Sequence, residues 1–207
     1  FTVGAAGANF NVDATELGNI TATTLQIGQT GDTGGTTING NIDVSGVGAG
    51  SYDLIFINNG GITNVGQTIT LGDYDLTMTS SVGTIDTGSI VGNQVDVNIS
   101  AGNTLTASGL VDVTGTGTVS LVTTANNADI ALGAIVDGGD NLTITAHGSG
   151  DITQSAGIIR TSAGGTMNLS STSGNIGTTA NRIDVSASDL TLNTGGTGSA
   201  YISENDT

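Results

Sequence analysis

Carboxylates dominate the chemistry available to this chain. Of its 207 residues 18 are Asp or Glu, two are Arg (Arg160 and Arg182), one is His and none is Lys. Asp73 with Asp75, Asp137 with Asp140, and Asp184 with Asp189 lie close in sequence. Paired carboxylates at a set separation are what glycoside hydrolysis uses, one as acid and the other as nucleophile or base. Here the pairs fall at turns or at outward strand positions. No Trp is present, and Tyr52, Tyr74 and Tyr201 are scattered, so no aromatic platform for a sugar accompanies them. A lyase would need a basic residue beside bound calcium, and only the two Arg are candidates. The expectation is therefore that the chain is not an enzyme.

Calcium itself favours clustered oxygen ligands on flexible turns. Asp73, Asp75, Asp137 and Asp140 are weak candidates of that kind. The chain lacks both the EF-hand spacing and the Gly-rich nonapeptide of calcium-binding β-rolls, and Asp at turns more readily caps its own backbone. No cofactor is expected. His147, in Ala146-His147-Gly148-Ser149, reads as an exposed corner residue; a single His and no Cys make neither a multi-His zinc site nor a thiolate site.

A formal net charge of −16 excludes more. Phosphate backbones and anionic lipids are bound through clustered Lys and Arg, so nucleic-acid binding and docking on acidic membranes are not expected. No apolar run approaches the roughly 18 residues of a membrane span, so no membrane insertion is expected. No basic segment precedes an apolar one in the manner of a signal peptide. The first residue is Phe1, which reads as a processed form or a piece of a longer chain. With 35 Gly, abundant Thr and no Lys, a helical bundle is disfavoured.

What must hold these side chains is a repeat. Asp129-Ile130, Asp151-Ile152 and Asn175-Ile176 form one recurring apolar element. A second is Ile135-Val136, Ile158-Ile159 and Ile183-Asp184-Val185. A third is Leu142-Thr143-Ile144, Met167-Asn168-Leu169 and Leu190-Thr191-Leu192, and it extends back through Val119-Ser120-Leu121 and Val97-Asn98-Ile99 to Leu76-Thr77-Met78. The order never changes, and the period is roughly 22–25 residues, within the solenoid range. Leu25-Gln26-Ile27, Ile42-Asp43-Val44 and Ile69-Thr70-Leu71 have the same form. Alternation of apolar and polar residues marks strands with one buried face. Gly, Asn, Asp, Ser and Thr between them suit tight corners.

Three short strands per turn cannot bury an interior alone, but stacked turns can. The expected fold is all-β: a parallel β-helix (β-solenoid) of about nine coils, with three short strands per coil. It forms one domain over residues 1–207, less regular over 1–70 and regular over 71–207. A β-sandwich is the rival, but it would not preserve a three-element order at near-constant period. Met78 and Met167 fall at core positions. The outward array Thr77/Thr79, Asn98/Ser100, Thr118/Ser120, Thr143/Thr145, Asn168/Ser170 and Thr191/Asn193 is too broken by Asn and Ser for an ice-binding face.

Ser173-Gly174-Asn175-Ile176-Gly177-Thr178, Asn181-Arg182-Ile183-Asp184-Val185, Leu190-Thr191-Leu192-Asn193 and Gly198-Ser199-Ala200-Tyr201-Ile202 resemble the strand repeats of filamentous-haemagglutinin-like adhesins and related giant bacterial surface proteins. About the last 130 residues carry the resemblance. It implies a right-handed β-helix, export to the bacterial cell surface or beyond, and a role as stalk, adhesin or fibre. The family's secretion-domain signature is not visible here.

Solenoid ends present unpaired strand edges, which template further pairing unless capped. No amphipathic cap helix is legible at either end. Phe1, Val3, Phe10 and Val12 in the first coil, and Tyr201 and Ile202 in the last, are the candidate assembly residues. The functional expectation is an extracellular structural protein, a subunit or segment of a surface fibre, assembling with itself head to tail. The alternatives are a module that binds a glycan or a surface protein along one face, with Gln29–Thr37 as a place to look, and, more remotely, a carbohydrate-active enzyme.

Overall fold

The computed structural model of the chain describes residues 2–3, 11–12, 14–46 and 51–205. Its strands form three parallel sheets of eight strands each. Sheet I comprises Thr2–Val3, Asn11–Val12, Thr36–Ile38, Ile62–Thr63, Ile85–Thr87, Leu105–Ala107, Ile130–Leu132 and Ile152–Gln154, continued by bridges at Ile176 and Ala200. Sheet II comprises Ile42–Asp43, Thr68–Gly72, Ser89–Asn93, Val111–Thr114, Val136–Gly138, Ile159–Arg160, Ile183–Ser186 and Ile202–Glu204. Sheet III comprises Thr24–Gly28, Asp53–Asn58, Leu76–Ser80, Asp96–Ala101, Thr118–Thr123, Asn141–Ala146, Thr166–Ser171 and Asp189–Asn193. The chain visits III, I and II in turn, so it is a parallel β-helix, and the three recurring elements of the sequence are its three sheets.

Register follows from side-chain alternation. Leu76 pairs with Val97, Val97 with Val119, Val119 with Leu142, Leu142 with Met167 and Met167 with Leu190. Two residues on, Met78, Ile99, Leu121, Ile144 and Leu169 make the neighbouring column, all fully or almost fully buried. A one-residue slip would turn both columns to solvent, so the apolar pattern fixes the stacking. Each fully buried aliphatic side chain contributes about 1.5–3 kcal/mol against the entropy of ordering the chain.

Eight strands per sheet make about seven turns, fewer than the nine expected. The chain spends its first residues otherwise. Thr2–Val3 and Asn11–Val12 add two rungs to sheet I alone. Ala14–Gly18 form a short helix whose Leu17 is buried and which packs on Ile42–Asp43, the edge strand of sheet II. Tyr52 is wholly buried there and donates its hydroxyl to the Leu17 carbonyl at 3.0 Å. This helix is the cap that the sequence did not reveal. The first coil, Thr24 to Asp53, takes 29 residues; those that follow take 21–25, from 21 between Asp75 and Asp96 to 25 between Asn141 and Thr166.

Candidate functional site

The rod positions its polar groups in columns, because every residue has a counterpart in the coil above and below. At the entrance to sheet III the column runs Asp53, Asp75, Asp96, Thr118, Asn141, Thr166, Asp189. The Asp75 backbone N–H donates to Asp53 Oδ1 at 3.1 Å, the Asp96 N–H to Asp75 Oδ1 at 2.8 Å, and the Thr118 hydroxyl to Asp96 Oδ1 at 2.7 Å. At the entrance to sheet I, Asp129 accepts from the Asp151 N–H at 2.8 Å, Asp151 from the Asn175 N–H at 2.6 Å, and Asn175 from the Ser199 N–H at 3.0 Å. These corner residues staple successive coils. An N–H at a corner has no strand partner of its own, and a charged acceptor satisfies it well.

The calcium candidates are occupied in the same way. Asp73 accepts from Asn93 Nδ2 at 3.2 Å and Asp140 from the Ser162 hydroxyl at 3.0 Å. Asp137 accepts from the Gly139 N–H at 3.1 Å, an Asx turn, and from Arg160 Nε at 2.6 Å. Among the described residues no three carboxylate, His or Cys side chains gather as a metal would need. Arg160 and Asp137 face each other in register across sheet II, so the Arg offsets a carboxylate within the rod. One coil on, Arg160 pairs with Ser186, and Arg182 donates to the Ile202 carbonyl at 3.2 Å. On the other side of Asp137 stands Asp112, whose Oδ1 is buried without a hydrogen-bond partner. The Tyr52 phenol is pushed above its ordinary pKa by burial.

One further polar column is internal. Asn58, Ser80, Thr123 and Ser171 are buried at the end of sheet III strands. Asn58 accepts from the Gly61 N–H, Ser80 from that of Gly83 and Ser171 from that of Gly174, at 2.8–3.0 Å. Thr123 donates to the Ala128 carbonyl at 2.8 Å. Each closes the tight corner into sheet I from inside. The sequence signal was available: Asn or Ser three residues before Gly, at coil spacing. Gly61 takes φ of 106°, which a side chain would strain, and Gly174 lies against the Gly150 backbone with no room for a Cβ.

The two ends of the rod differ. Of the N-terminal assembly candidates, Val3 and Val12 lie in the extra strands of sheet I, while Phe1 and Phe10 lie outside the described residues. Sheet II is covered by the helix at this end, and the Thr24–Gly28 edge of sheet III pairs on one side only. At the C-terminal end all three sheets stop at one coil: Asp189–Asn193, Ala200 and Ile202–Glu204. Tyr201 and Ile202 are half-buried there. Leu192 is 40% exposed, although its counterpart one coil back, Leu169, is 1% exposed. An open groove of about 380 Å³ beside this end is lined by Gln154, Ser155, Asn181, Arg182, Asp184 and Ser203.

No family model, curated protein or solved structure matches this chain.

Proposed function

We propose that this chain is a β-helical segment or subunit of an extracellular bacterial surface fibre or stalk, extended coil upon coil from its C-terminal end. The observation that carries the reading is the flush C-terminal coil. Among the described residues its three strand edges have no further partner, and Leu192 stands at the end of a core column. Such an edge is a template for a further parallel coil, whether of a longer chain or of the next subunit. A head-to-tail contact of that kind is heterologous and propagates into a filament. A structural role is favoured over a catalytic one because Asp53, Asp75, Asp96, Asp129 and Asp151 accept coil-to-coil hydrogen bonds. The cell surface as location rests on the resemblance of the repeats.

Electron microscopy of the chain, unstained in ice, tests self-assembly. Unbranched filaments with an axial repeat near 40 Å are expected (about 4.8 Å per rung), and Leu192→Asp should shorten them. Isolated short rods at millimolar concentration would overturn self-assembly and leave the chain as a shaft segment.

A second reading, glycan recognition, rests on the groove containing Arg182. Saturable binding on a glycan array that Arg182→Ala abolishes would favour it, and no binding on the array would end it.

A further inference from the structure

The outward side of sheet III is unlike the rest of the rod. Inside its acidic entrance column run two more outward columns. One is Gln26, Ile55, Thr77, Asn98, Ser120, Thr143, Asn168, Thr191; the other is Gly28, Ile57, Thr79, Ser100, Val122, Thr145, Ser170, Asn193. Neither holds a single charge, in a chain whose net charge is −16. Ile55, Ile57 and Val122 lie among the hydroxyls and amides. Sheet II differs, with Asp43, Asp112, Asp137, Arg160 and Asp184 on its outward side, and sheet I has described strands of only two or three residues, with Asp86 outward. A surface depleted of charge at its centre and edged on one side by carboxylates has the charge distribution of an interface core beside a polar rim.

We propose that a second copy of this chain packs on this face, sheet III against sheet III, with the two rods parallel. Charge selects the occupant and the orientation. Two rods of the same sign repel, and a broad face without carboxylates lets them approach without burying like charges. The twofold axis can run along the rod or across it. Across it, the column of Asp53, Asp75, Asp96 and Asp189 meets its own copy. Along it, that column meets the opposite border, where the chain leaves sheet III through Asn59, Ser81, Gly102, Thr124, His147 and Thr172, none of them a carboxylate. Identical faces also share one rung spacing, so columns stay matched over the full length of the rod. The two columns hold 16 residues per copy, short of the roughly 20–30 a side of a standard interface. The dimer is therefore weak and, since whole-rod repulsion opposes it, strengthened by salt.

Sedimentation equilibrium of the 207-residue chain at low and high salt tests this. A reversible dimer that tightens with salt is expected. Ser120→Glu with Thr143→Glu, both outward, should weaken it about tenfold or more, while Thr70→Glu on sheet II and Leu192→Asp at the rod end should leave it unchanged. The last control separates lateral pairing from end-to-end stacking. A chain that stays monomeric at millimolar concentration in high salt, or a Thr70→Glu effect as large as that of the double variant, overturns the proposal. The chain has no Cys, so a single nitroxide on Ser203→Cys reads orientation. Level labels at short distance support parallel rods, and labels a rod length apart overturn them.

Discussion

Asp112 is a carboxylate whose environment is poorly satisfied. It stacks one rung from Asp137 and two rungs from Arg160, the partner of Asp137. At roughly 5 Å and 10 Å, repulsion exceeds attraction about twofold in any one dielectric. Its Oδ1 is also buried without a donor. Asp112→Asn keeps the shape and supplies a donor toward Asp137. It should stabilise the rod by about 0.5 kcal/mol, within the range of cross-strand pairs, seen as a higher urea midpoint with an unchanged slope. Tyr52 shows the opposite case, a polar group well placed. Tyr52→Phe removes the bond to the Leu17 carbonyl and should cost about 1 kcal/mol. Its pH signature has a definite sign. Burial raises the folded-state phenol pKa above 10.0, so the native state holds the proton longer than the unfolded chain does. The stability from the protonated phenol is complete below pH 10 and is lost as pH rises through the folded pKa. A urea series across pH 9–12 should show the wild type losing stability relative to Tyr52→Phe.

At the scale of the strand and the corner, position along the rod decides what a side chain contributes. Leu121 and Leu192 belong to one column, yet Leu121 is sealed between coils and Leu192 is 40% exposed. Leu121→Ala should leave a cavity and cost about 3 kcal/mol, whereas Leu192→Ala should cost under about 1 kcal/mol. Calorimetry of the two variants separates the values, and equal losses would mean that the last coil is sealed by something beyond it. The same logic explains which parts of the fold were legible in the sequence. Leu142-Thr143-Ile144, Met167-Asn168-Leu169 and Leu190-Thr191-Leu192 alternate at strand period and recur at coil spacing, so the third element and its stacking could be read directly. The internal caps Asn58, Ser80 and Ser171 have the same residue types as exposed loops, and only their fixed distance from Gly betrays them. The helix Ala14–Gly18 has five residues, too few for a helical period to declare itself. Its burial depends on Tyr52, 35 residues from Leu17. The end coil was legible as an open edge, but the exposure of Leu192 was not, because it depends on what stacks above and no local pattern records it.

For the molecule as a whole, contacts between successive coils dominate, which makes the rod quasi-one-dimensional. In such an array each coil is held by two neighbours, and a terminal coil by one. The N-terminal end gains back some of that loss through the helix and the extra rungs of sheet I; the C-terminal end, with its three bare edges, does not. Opening should therefore propagate from the C-terminal end, which gives hydrogen exchange a polarity. Amides of Asp189–Asn193 and Ile202–Glu204 should exchange first, then those of Thr166–Ser171, with Asp96–Ala101 and Thr118–Thr123 slowest. Salt sharpens the test. Eighteen acidic residues against two Arg repel one another in every coil, so screening should slow exchange along the whole rod while keeping its order. A rod whose two ends exchange alike, or whose N-terminal coil opens first, would show that the Leu17–Tyr52 cap does not bear on stability. A rod whose C-terminal coil becomes as protected as the middle when protein concentration is raised would show that coil acquiring a partner, as the proposed head-to-tail assembly expects.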